Sequence, residues 1–67
     1  MREITPKRLR CGVGLCPALF ELDDGRIVVI GKLPDPQHPL PRKILDKVGD
    51  NELAVVIPAD YLKDLDL

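Results

Sequence analysis

Aromatic side chains are scarce in this chain: Phe20 and Tyr61 stand alone, and there is no tryptophan. That argues against a platform for single-stranded nucleic acid, on which successive bases need several aromatic faces to stack. Serine is absent, and threonine and histidine occur once each, at Thr5 and His38. No nucleophile, base and orienting group can be assembled from such a set, which leaves triad chemistry without its parts. Gly12-Val13-Gly14 has neither the third glycine nor the Lys-Ser/Thr of a phosphate loop. Asp23 and Asp24 are adjacent carboxylates, but beside Gly25 they serve turn geometry. No apolar run approaches the length of a membrane span, and Met1-Arg2-Glu3 leads into a polar segment with no leader-like apolar core. These absences lead us to expect a cytoplasmic protein that is not an enzyme, carries no cofactor and enters no membrane.

What is present is an aliphatic globular composition. The chain has 67 residues, 45% hydrophobic and 31% charged, values that fit a folded domain better than a disordered one. We expect a single domain over 1–67, close to the size at which a staple, a metal or a partner is needed. Net charge is -1 but unevenly spread. Arg2, Lys7, Arg8 and Arg10 crowd the first ten residues, whereas Asp50, Glu52, Asp60, Asp64 and Asp66 crowd the end. Two readings follow. Either the ends neutralise each other, within a subunit or across a dimer, or residues 1–7 form a flexible basic arm whose cations contact nucleic acid.

Cys11 and Cys16 offer two thiols, and His38 is the one further soft ligand. A closed zinc site needs four, so zinc at Cys11, Cys16 and His38 is a minor alternative that would require pooling across a dimer. Five residues apart, with glycines between, the sulfurs could also meet, as in a redox pair. The reading preferred on composition is that both are reduced, small, buried side chains.

Along the chain, Leu9, Cys11, Val13 and Leu15 alternate with polar or glycine positions and suggest a strand through about Cys11. The clearest signal is Ala18–Leu33, a hairpin turning at Asp24-Gly25. A two-residue loop there would place Ala18, Phe20, Leu22, Ile27 and Val29 on one face and Leu19, Glu21, Val28 and Ile30 on the other. A three-residue loop is disfavoured because it sets Glu21 opposite Ile27. The second arm, apolar on both faces, predicts a central strand. Residues 34–41 carry four prolines and read as a stiff extended connector. A short helix over about 41–48, a strand at Leu53–Ile57 and a C-terminal helical segment complete the expected fold. The class is α+β, a small, mostly antiparallel sheet on a hairpin at about 18–33.

The segment Leu53-Ala-Val-Val-Ile-Pro-Ala-Asp-Tyr-Leu-Lys-Asp-Leu-Asp-Leu67 resembles the strand–Ile-Pro–helix of AbrB/MazE-type swapped-hairpin regulators, and Asp24-Gly25-Arg26-Ile27-Val28-Val29 resembles their closing hairpin, in permuted order. The resemblance implies a small dimeric DNA-binding regulator or antitoxin. Residues 11–62 as a whole resemble small bacterial proteins of actinobacterial type, which implies no activity. The expectation we carry forward is a non-catalytic protein-interaction or regulatory module, dimeric, with Leu19, Val28, Ile30, Ala54 and Val56 at the partner interface. The regulator, using Arg2, Lys7, Arg8 and Arg10, and a Cys-dependent zinc or redox protein are the alternatives.

Overall fold

The computed structural model describes residues 1–12 and 16–64. Three short strands form one antiparallel sheet in the order β1-β2-β3, with β1 at Arg2–Glu3, β2 at Ala18–Glu21 and β3 at Ile27–Ile30. Two single-turn helices follow, α1 at Arg42–Leu45 and α2 at Asp60–Lys63. The expected class, a small α+β fold on a hairpin, is what the chain adopts. Among the described residues no helix is long and apolar enough to cross a membrane.

The hairpin forms where Asp24-Gly25 places it, but with one more residue in its loop. The observed register pairs Glu21 with Ile27, Phe20 with Val28, Leu19 with Val29 and Ala18 with Ile30. Leu22 closes the loop: its N–H donates to the Arg26 carbonyl at 2.9 Å, and its own carbonyl accepts from the Gly25 N–H at 3.0 Å. This is a three-residue loop, a type I turn followed by a glycine bulge, and Gly25 has the positive φ of 89° that the bulge requires. Asp24 stiffens the turn by accepting from the Arg26 backbone N–H at 3.1 Å. The two-residue register is therefore corrected. The unfavourable-looking pairing of Glu21 with Ile27 is tolerated because Glu21 has a partner on its other side, where Arg2 donates to it at 2.8 Å.

The expected strand near residues 8–11 is displaced. β1 lies earlier, at Arg2–Glu3, where Arg2 pairs with Glu21 and Glu3 with Phe20. Ile4 continues it by donating to the Leu19 carbonyl at 2.8 Å. Pro6 then ends the pairing, and its carbonyl accepts from Leu9 in a 3-10 turn over Lys7–Leu9. The first seven residues are thus no free arm: Ile4, Thr5 and Pro6 are the most deeply buried side chains described. Val13 and Leu15, the last apolar positions of that alternation, lie outside the described residues.

Ile4, Leu19 and Tyr61 make the core, with Leu9 and Ile57 packed against it. Ile4 directly follows β1, Leu19 lies on β2 and Tyr61 on α2, so the core sits on the Leu19 face of the sheet and not on the expected Phe20 face. The one-residue change of loop does not cause this. It follows from β1, whose Ile4 shares a face with Leu19. Glu3, Phe20 and Ala18 line the other face.

The C-terminal half adds little secondary structure. The proline-rich connector folds a turn midway, where His38 N–H donates to the Asp35 carbonyl at 2.9 Å. Pro41 caps α1, and 3-10-type hydrogen bonds carry the chain on to Val48, so the expected helix is present as one α turn and tighter turns. Its Ile44 and Leu45 stay exposed. Leu53–Ile57 is not a strand but a single bridge, in which Val56 and Lys32 exchange two hydrogen bonds of 2.8 and 3.0 Å. Gly31 permits this crossing, since a Cβ there would stand 2.8 Å from the Val56 carbonyl. The bridge does not extend along β3, because Ile30, the next residue facing that way, is already paired with Ala18.

Candidate interaction surface

β3 is an edge strand, not the central one its composition suggested. All four of its residues are exposed, from 37% for Val28 to 51% for Ile27. The direction of its backbone groups follows from its neighbours. Leu19 turns its carbonyl toward β1, while Leu22 turns its groups toward β3. Strand alternation then aims Ala18 and Phe20 at β3, and Val28 and Ile30 back at β2. The N–H and C=O groups of Ile27 and Val29 consequently face outward, where they have no backbone partner among the described residues. Proteins commonly blunt such edges with charge, proline or a covering loop. β3 has no charge or proline of its own, and the Val56 bridge lies beyond its end, at Lys32.

The surface as a whole is larger than the chain's mass warrants. The accessible area is 5564 Å², about 1,300 Å² above the roughly 4,200 Å² expected of a compact monomer of this mass. The radius of gyration is 13.3 Å, against about 11 Å for a compact chain of this length. Large aliphatic side chains are on that surface: Leu33, Leu53, Val56 and Leu62 are exposed along with β3.

Of the residues expected at a partner interface, Val28, Ile30 and Val56 are exposed and Ala54 is half-buried. Leu19 is the correction: at 2% exposure it belongs to the core and can meet no partner. Ile27 and Val29 belong to the surface in its place. Their exposure was hidden by the assumption that an all-apolar strand is central.

The basic residues do not form a free patch. Arg2 pairs with Glu21 at 2.8 Å, Arg8 with Asp64 at 3.7 Å, and Arg10 donates to the carbonyls of Thr5 and Glu3 at 3.0 and 3.1 Å. Lys7 is exposed, with no ion pair among the described residues. Front and back of the chain do meet in the Arg8–Asp64 pair, which is solvent-exposed and therefore worth little by itself.

Cys11 and Cys16 are joined in a disulfide, with Cα atoms 6.0 Å apart, and Cys11 is exposed. The expectation of two free, buried thiols is therefore corrected. The bridge lies beside the Phe20 face of the sheet, sharing a cleft with Glu3, Phe20 and Ile30. His38 lines a different cleft, with Lys32, Leu40 and Val56. Among the described residues no group of three or more His, Cys, Asp or Glu is gathered as metal ligands. Loop-closure entropy for so short a ring gives the bridge about 2 kcal/mol of stabilisation. Reduction is expected to lower the urea midpoint correspondingly, and thiol titration of the unreduced, unfolded chain should detect no free cysteine.

Compared with protein-family models, curated proteins and solved structures, the chain finds no match.

Proposed function

We propose that the chain is a small, non-catalytic interaction module whose binding surface is the outer edge of β3. The observation that carries this reading is the state of that edge, which combines outward backbone groups at Ile27 and Val29, unpaired among the described residues, with exposed aliphatic side chains on both faces. An added strand would complete the hydrogen-bond ladder and cover both faces in one step. The chain's few candidate catalytic groups fit the same reading. Thr5 is fully buried, with its hydroxyl engaged by the Leu19 backbone. His38 stands exposed in the connector.

The test is a photoreactive benzoylphenylalanine at Val28, activated in the cells that make the protein. A control carries the same residue at Lys43, exposed on α1. A protein adduct is expected at Val28 and not at Lys43. Equal labelling at both positions, or none at Val28, would count against the edge as a binding surface.

A further inference from the structure

We infer that the occupant of the β3 edge is a second copy of this chain, paired antiparallel to it about a two-fold axis through Val28. This rests on the interaction reading above and adds the partner. The first argument is area. Each partner in a standard stable interface buries about 800 Å², and the chain exposes about 1,300 Å² more than a compact monomer of its mass would. A symmetric contact draws on that excess in both copies.

The second argument is register. The outward-facing residues of β3 are Ile27 and Val29, two positions apart, with Val28 between them. Centring the axis on Val28 sets Ile27 opposite the partner's Val29, and Val29 opposite the partner's Ile27. Both become hydrogen-bonded pairs, and all the outward N–H and C=O groups of the two strands are used. Moving the centre to Val29 would set Arg26 opposite the partner's Lys32, two cations face to face. Moving it to Ile27 would bring the Asp24 turn against the partner's Ile30. The Val28 register avoids both.

Sedimentation of the oxidised chain from micromolar to millimolar concentration tests the inference, and twice the chain mass is expected. Val29→Pro removes an outward N–H without touching the β2 ladder, which uses Val28 and Ile30. It should weaken the dimer about tenfold or more, because the donor is lost in both copies. Val28→Cys places two thiols across the axis in a closely spaced, non-hydrogen-bonded pair. Air oxidation should link them into a covalent dimer on a non-reducing gel, whereas Leu62→Cys, also exposed, should stay monomeric. A monomer mass throughout overturns the inference. So does a dimer that yields no Val28→Cys link, and this readout holds even if Val29→Pro does not fold. A monomer that photocrosslinks at Val28 to a foreign protein overturns self-pairing while leaving the interaction reading intact. Absence of any Val28 adduct removes that reading too.

Discussion

Leu19→Ala is expected to abolish a cooperative unfolding transition at room temperature, or to leave only its tail. Leu19 lies on β2, the central strand, and is 2% exposed between Ile4 and Tyr61. Removing a buried leucine side chain costs about 2–5 kcal/mol, through lost transfer free energy and the cavity left behind. Globular chains of this length have about 3–10 kcal/mol of stability in total. With three buried apolar side chains in the core among the described residues, few neighbours can relax into the gap. Urea titration followed by far-UV circular dichroism checks this, with Leu53→Ala as the comparison, since Leu53 is 80% exposed. If the two variants unfolded at the same midpoint, the core would not be organised around Leu19.

Thr5→Val should destabilise the chain by about 1–3 kcal/mol, the cost of stranding a buried donor. The substitution keeps the shape of the side chain and removes its hydroxyl. That hydroxyl accepts the Leu19 N–H at 2.9 Å and also approaches the Leu19 carbonyl at 3.4 Å. In a regular ladder the Ile4 carbonyl would accept that N–H in return, and here the Thr5 hydroxyl takes its place. Thr5→Ser, which keeps the oxygen and loses a methyl group, is expected to retain most of the stability. Equal melting of the valine and serine variants would show that the hydroxyl contributes nothing. Amide exchange at Leu19 gives a second readout, because that proton should exchange faster in the valine variant alone.

The hairpin, the proline-rich connector and the short helical turns were legible because each depends on neighbours in sequence. Asp24-Gly25 announces a turn, and four prolines between 34 and 41 forbid a ladder. Loop length was not legible, because the residue that decides whether Glu21 can sit opposite Ile27 is Arg2, nineteen positions away. β1 was missed for a related reason: two residues show no periodicity, and charged Arg2 and Glu3 looked like part of a solvated arm. The same long-range dependence hid the burial of Leu19, which is set by Ile4 and Tyr61. At the candidate surface, the excess of aliphatic side chains at Val28, Ile30 and Val56 could be read directly. Which strand lay at the edge could not, since a run of Ile27-Val28-Val29-Ile30 is as suited to the middle of a sheet. The Cys11–Cys16 bridge was open as a geometry but not preferred, because spacing alone does not distinguish bridged from free thiols.

β1 carries a consequence for the size of any assembly the sheet enters. It is two residues long, bears Arg2 and Glu3, and is followed almost at once by Pro6. An edge so short and so charged is a poor template for another strand. The sheet is therefore polar in valence, with a receptive rim at β3 and a sealed rim at β1. A chain that joins at β3 presents its own sealed rim outward, so growth ends at a closed pair and does not run on into a fibre.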